Sequence, residues 1–323
     1  MKNQILISII TLFLGLSSQA KQLEFLDQHY GPNEREIFDL WLPNAVEPAP
    51  LVIFIHGGGW SAGSKDEMRK QKSIIQKYNN SGIAVAAINY RFLSQAPLQT
   101  IMREDIAGFV QFMRSNAERY QLNKALVLPY GVSAGASASL WLATHEDISQ
   151  PQSPNPILRE SSRVTAAGHF DGQISYDYMV WYHFYGKAST DRFVGNDVWQ
   201  RYHLKSFDDL FTDDGKAIRK DMDMYGNLTS DDPPLLFWNN LDDHPEIDAN
   251  HFVHSPRHSR LLSEKANQLK ILTQTMIAAD GTHVGDPHQA AQEFFGKILK
   301  PYGFKIKKDK PKQPTDETPS SSK

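Results

Sequence analysis

Between about residue 37 and residue 299, short apolar runs alternate with longer stretches in which apolar residues recur every three or four positions. The short runs predict strands over 37–42, 51–55, 83–89, 125–128, 164–167, 235–238 and 271–278. The longer stretches predict helices. The clearest, over 101–120, places Ile106, Phe109, Val110, Met113, Ala117 and Tyr120 on one face. Others are predicted over 66–77, 134–144, 256–269 and 287–299. This alternation is the pattern of an α/β fold, a mainly parallel sheet with helices on both faces. No internal repeat interrupts it.

Three segments depart from the alternation. Residues 170–233 are too long for a simple connection and are rich in aromatic and charged residues, so they predict a cap inserted over the sheet. Residues 1–20 combine Lys2, an apolar run from Ile5 to Leu16, and small residues at Ser18 and Ala20. That is the pattern of a cleaved signal peptide, which predicts a periplasmic or secreted protein with no stable membrane insertion after cleavage. The folded domain is then expected over 21–304. The remainder, 305–323, is rich in lysine, proline and serine with little to bury, and predicts a disordered tail.

Composition narrows the chemistry. The chain has 40% hydrophobic residues, enough for a sizeable core, and a formal net charge of -3, which offers no field to attract nucleic acid. It contains no cysteine, so disulfides and thiol nucleophiles are excluded.

Two motifs carry candidate chemistry. "FIHGGGW" ends the predicted strand at Ile55 with His56 and three glycines, which suits a backbone that must bring its own N–H groups close to another atom. "YGVSAGA" places Ser133 between Gly131 and Gly135 directly after another strand, a G-x-S-x-G. A serine on a sharp strand-to-helix turn needs residues without side chains two positions to either side, and the turn exposes its hydroxyl. Such a serine attacks an acyl carbon, and the oxyanion that forms needs preorganised N–H donors. Gly58, Gly59 and Ala134 are the expected donors.

With "FIHGGGWSAGSK", "INYRF", "EDIAGFVQFMRSNAERYQL" and "GVSAGA" in this order, the chain resembles the α/β-hydrolase superfamily. Within it, the chain is most similar to the HGGG-type esterases and lipases and to the bacterial feruloyl and acetyl-xylan esterase-like group. The resemblance is good from about residue 51 to residue 144. It implies a serine esterase that needs no metal or cofactor, acting on acyl groups of a small molecule or polysaccharide. It also implies an acid after the seventh strand and a histidine after the eighth.

In "LLFWNNLDDHPE" that acid falls on Asp242, with Asp243 and then Asp248 as alternatives. In "DGTHVGDPH" the histidine falls on His283, with His288 as the alternative. Trp238-Asn239 stand where the family usually has His-Gly.

Four histidines, His244, His251, His254 and His258, lie among carboxylates in a stretch whose spacing matches no standard metal site. Asp105 and Arg91 resemble positions that brace the sheet. Trp60 is a candidate substrate-binding residue. With Tyr176, Tyr178, Trp181, Tyr182, Phe184 and Tyr185 it would wall a cleft for a sugar or phenolic ring, or else these rings are the core of the cap. Two further readings share the scaffold: an amidase or exopeptidase, and a non-catalytic carbohydrate-binding protein that kept the fold.

Overall fold

The computed structural model describes residues 23–195, 197–243 and 248–306. The expected signal peptide and nearly all of the expected tail lie outside these residues. Eight strands form one sheet: β1 Leu23–His29, β2 Ile37–Leu42, β3 Ala49–Ile55, β4 Ala84–Ile88, β5 Leu122–Val132, β6 Ala167–Phe170, β7 Leu235–Asn239 and β8 Thr273–Ile277. Their spatial order is β1-β2-β4-β3-β5-β6-β7-β8. The β1–β2 and β2–β4 pairs are antiparallel, and every pair from β4 through to β8 is parallel. This is the α/β architecture expected from the alternation.

The continuous apolar run of β3 has a direct cause in packing. Alternate side chains of a strand point to opposite faces, so a strand covered on both must be apolar at every position. Leu51, Ile53 and Ile55 enter one buried cluster, with Phe109, Met113, Leu140 and Trp141 from the helices Gly108–Ser115 and Ala134–Thr144. Val52 and Phe54 enter the other, with Ile75 and Tyr78 from Lys72–Asn79 and Phe294 and Phe295 from Pro287–Leu299.

Several elements differ from expectation. β1 carries charged and polar residues on an exposed edge and has no apolar run to announce it. β6 begins three residues later than predicted, because Gly168 to Phe170 is the part in register with Tyr130 to Val132 of β5. The helix predicted over 101–120 is a π-helical stretch, Ile101–Ala107, followed by an α-helix, Gly108–Ser115. The helix predicted over 66–77 is divided into Asp66–Arg69 and Lys72–Asn79.

Between β6 and β7 lie the helices Tyr178–Tyr185, Lys187–Phe193, Asp213–Asp221 and Met224–Asn227 and the 3-10 turns Val198–Tyr202 and Asp208–Phe211. Tyr176, Trp181, Tyr185, Tyr202 and Met222 of this segment share a buried cluster with β3 and β4. Arg103 and His145 hold it to the scaffold through Asp221. The bracing pair is also present: buried Asp105 accepts from the Arg91 backbone at 2.6 Å and from its guanidinium at 2.5 Å.

Of the buried histidines, three are held neutral by burial. Burial pushes His56 and His169 down to about 4 and His258 down to about 3. An unfolded histidine titrates near 6.5, so below that pH the unfolded chain takes up protons that the folded chain refuses. The stability these groups contribute is present above 6.5 and is lost as pH falls toward 4. The melting temperature is therefore expected to drop by several degrees between pH 7 and pH 5. Asp171 and Asp232, raised to about 6 by burial, work in the opposite direction over this range. The test therefore uses the Asp171→Asn, Asp232→Asn double variant, in which an unchanged value would show that these imidazoles are charged in the folded protein.

Candidate active site

β5 runs directly into Ser133, which sits at φ 55° and ψ -116°, a region strained for any residue with a side chain. The helix Ala134–Thr144 starts at the next residue and is buried along its whole length, which its run of alanines and serines permits. Both flanking glycines are required: a Cβ on Gly131 or on Gly135 would fall on the Ile55 carbonyl oxygen of β3. The Ser133 N–H donates to Phe170 O at 2.9 Å, tying the elbow to the end of β6. Ala134 opens its helix, so its N–H has no carbonyl four residues back to bond within the helix.

The glycine run turns beside this elbow. A Cβ on Gly57 would lie 2.9 Å from Val132 O and 3.4 Å from Ser133 Cβ, so the loop backbone touches the serine turn. Gly58 and Gly59 have φ values of 105° and 59°. Gly58 O accepts from the N–H groups of Ser61 and Ala62, which closes the turn. His56 braces it from beneath: its Nδ1 donates to Gly57 O at 2.6 Å, and its ring stacks on Tyr90 at 4.3 Å between centroids. The Tyr90 hydroxyl donates to His56 O. Trp60 is 1% exposed, and its indole N–H donates to the Tyr176 hydroxyl at 2.7 Å.

The histidine that meets the serine is His254. Ser133 Oγ and His254 Nε2 are 2.8 Å apart, and His254 Nδ1 is 2.8 Å from Asn250 O. A carbonyl only accepts, so Nδ1 carries the proton and Nε2 presents its lone pair to the serine hydroxyl. Burial lowers the His254 pKa, partly offset by the Asn250 carbonyl. His254 ends the helix Ala249–His254, and its own carbonyl accepts from Asn239 Nδ2 at the buried end of β7.

These groups face a cleft of about 750 Å³ at the carboxyl ends of the parallel strands. Gly57 to Trp60, Ser133, Asp171, Leu241, Asn250 and His254 line it from the sheet side. Tyr176, Tyr178, Trp181, Val198, Arg201 and Tyr202 line it from the segment after β6. Asp171 follows β6, accepts from the Asn240 N–H, and is held up to about 6 by burial.

The structure thus gathers Ser133, Gly58, Gly59 and Trp60 at the cleft, with Ala134 next in chain to the serine, and does not bring His283 or Asp242 to them. His283 lies exposed on the loop after β8, and that loop is held by Trp238 Nε1 donating to Val284 O. Asp242 is exposed, and among the described residues its backbone carbonyl alone is engaged, by His251 Nε2 at 3.2 Å. The alternatives are placed elsewhere as well. Asp243 pairs with Arg260, Asp248 caps the helix Ala249–His254, and His288 bonds the Tyr130 hydroxyl. Of the histidine-rich stretch, His258 bonds Tyr185 and Phe252 O, and His244 lies outside the described residues. Of the aromatic group, Trp60, Tyr176, Tyr178 and Trp181 line the cleft, whereas Tyr185 packs behind it.

The BD-FAE family model matches residues 38–203, just over half of the chain, a span that contains Ser133 and the glycine run but neither His254 nor His283. The Arabidopsis thaliana protein named probable isoprenylcysteine alpha-carbonyl methylesterase is 27% identical over 139 residues, 42% of this chain. Gut esterase 1 of Caenorhabditis elegans is 28% identical over 104 residues, 30% of this chain. These matches span 28% and 18% of those two proteins.

Among solved structures, a truncated carbohydrate esterase from gut microbiota superposes with a TM-score of 0.61 at 16% identity, covering 86% of this chain and 95% of the other. The acetyl ester-xyloside bifunctional hydrolase of Caldicellulosiruptor lactoaceticus gives 0.59 at 16% identity, with 81% and 88% covered. Thermogutta terrifontis esterase 2 gives 0.60 at 17%, with 87% and 96% covered. At these identities the likeness is one of fold, that of the α/β hydrolases.

Proposed function

The chain belongs to the BD-FAE family of carboxylic ester hydrolases, and on that premise we propose that it is an exported serine esterase acting on acyl groups carried by carbohydrate. The observation that carries the reading is the 2.8 Å contact between Ser133 Oγ and His254 Nε2 on a strained elbow facing the cleft.

In this reading Ser133 Oγ attacks the ester carbonyl carbon while its proton passes to His254 Nε2. The carbonyl oxygen becomes an oxyanion held by the N–H groups of Gly58, Gly59 and Ala134. As the tetrahedral intermediate collapses, the imidazolium returns the proton to the departing alcohol oxygen and an acyl-serine remains. Water, deprotonated by His254, then releases the acid and restores the serine. The Asn250 carbonyl supports the imidazolium as a hydrogen-bond acceptor on Nδ1.

The names of the carbohydrate esterase and the acetyl ester-xyloside hydrolase that share the fold support the carbohydrate part of the reading, and so do the aromatic rings of the cleft. Residues 1–20 support export. Production of the full chain in a bacterial host tests both halves at once. Hydrolysis of acetylated xylan or feruloylated oligosaccharide should concentrate in the periplasmic fraction and disappear with Ser133→Ala. Binding of the sugar without hydrolysis would favour a carbohydrate-binding protein instead; among the described residues the partner of His254 Nδ1 is the Asn250 carbonyl and not a carboxylate.

The two oxyanion-loop glycines are expected to respond differently. A Cβ on Gly58 would land on the Ala62 carbonyl oxygen, at a φ of 105° that side chains rarely adopt. Gly58→Ala should displace the donor and lower kcat by about a hundredfold, the effect of losing one such donor. A Cβ on Gly59 meets nothing within 4 Å, and its φ of 59° is one that alanine reaches at a cost of about 1 kcal/mol. Gly59→Ala should therefore cost less than about tenfold in kcat. Equal losses in the two variants would mean that the loop moves as a unit.

A further inference from the structure

Arg201 is the arginine that lines the cleft. Arg69, Arg91, Arg103, Arg163, Arg219 and Arg260 each pair with a carboxylate. Among the described residues Arg201 has no hydrogen bond and no ion pair, and it lines the cleft from the 3-10 turn Val198–Tyr202. It belongs to the wall formed by Trp60, Tyr176 and Tyr202, and its charge is felt at both tyrosine hydroxyls.

The polar atoms of that wall are already occupied by one another. The Trp60 indole donates to the Tyr176 hydroxyl, which donates to Gln173, and the Tyr202 hydroxyl donates to the Tyr176 carbonyl. The guanidinium donors of Arg201 remain, in a rigid fork matched to a planar anion and beside rings that exclude water. The other charges of the cleft restrict where such an anion can sit. Glu67 is exposed on the helix Asp66–Arg69, and Asp171 lies beside Asn240. Both repel a carboxylate from their own sides and leave the Arg201 wall.

We propose that Arg201 determines specificity, and that the sugar chain bearing the ester contains uronic acid residues, one of whose carboxylates the guanidinium grips in a bidentate pair. This rests on the esterase reading for the ester itself but not for the binding of the sugar, so the two are tested separately.

The binding test uses full-length Ser133→Ala titrated by calorimetry with an oligogalacturonate and with the neutral oligogalactoside of equal length. The charged ligand should bind at least about tenfold more tightly, or 1.4 kcal/mol, with a gap that narrows as salt is raised. Adding Arg201→Met should close the gap to within about threefold, and Arg201→Lys, which keeps the charge without the fork, should restore part of it. Since Arg201 holds no other described residue, the melting temperature should not move with either variant.

Equal binding of the two ligands, or a gap that survives Arg201→Met, overturns the proposal. So does a kinetic preference confined to a carboxylate on the acyl side, read from p-nitrophenyl monosuccinate against p-nitrophenyl butyrate. If the binding gap is found but no ester is hydrolysed, the esterase reading fails and the role of Arg201 stands. If esters are hydrolysed with no gap, the reverse holds.

Discussion

Ser133→Ala is expected to lower ester turnover by about a millionfold, the scale on which loss of the nucleophile leaves only binding and the oxyanion donors at work. The folded protein should hardly notice. The hydroxyl makes its described hydrogen bond to His254, and its removal opens no cavity because the side chain faces the cleft. Ser133→Gly sharpens the test. At φ 55° and ψ -116° a glycine escapes the strain that a Cβ suffers, so this variant should be as inactive as the alanine variant while melting at a higher temperature. Stability and activity moving in opposite directions at one residue is what strain held for function predicts. A glycine variant that melts lower would mean that the elbow is not strained, and one that retains turnover would remove Ser133 from the chemistry.

The parts of this architecture that were legible in the sequence are those fixed by local requirements. β3 had to be apolar at every position because it is covered on both faces, and that run appears in the text of the chain. Gly131 and Gly135 had to lack side chains because the Ile55 carbonyl lies where a Cβ would be, and a spacing of two on either side of a serine records that fact. The glycines after His56 likewise announce a backbone that closes on its neighbours.

The histidine was not legible in the same way. Ser133 and His254 are 121 positions apart in the chain, and what joins them is the path taken after β7 by the helix Ala249–His254. Four histidines within 15 residues compete for notice there, and periodicity does not say which one the helix end will direct at the cleft. The available signal was Ser255-Pro256, which stops that helix directly after His254 and starts the next, Pro256–Gln268. A histidine on the last turn of a helix following the seventh strand is a plausible partner for a serine at the same edge of the sheet. Arg201 was invisible for a related reason: a lone arginine in a charged segment carries no pattern, and its lack of partners exists only in three dimensions.

His254→Ala is expected to cost as much as Ser133→Ala, and the double variant little more than either, because nucleophile and base act as a unit. His283→Ala should stay within about threefold of the parent, since an exposed loop histidine away from the cleft has no proton to move. Asp242→Asn should be equally mild, because the side chain is exposed and among the described residues its backbone carbonyl alone is engaged, by His251. The pH dependence provides a second readout. The base acts as neutral imidazole, and burial lowers the pKa of His254 below its ordinary 6.5, so kcat/KM should hold its plateau to a pH below 6.5 before falling. The comparison is decisive because His254 contacts Ser133 and lines the cleft, whereas His283 does not line it. If His283→Ala were inactive and His254→Ala fully active, the 2.8 Å contact at Ser133 would be a resting arrangement, and the loop after β8 would have to swing from the surface into the cleft for catalysis.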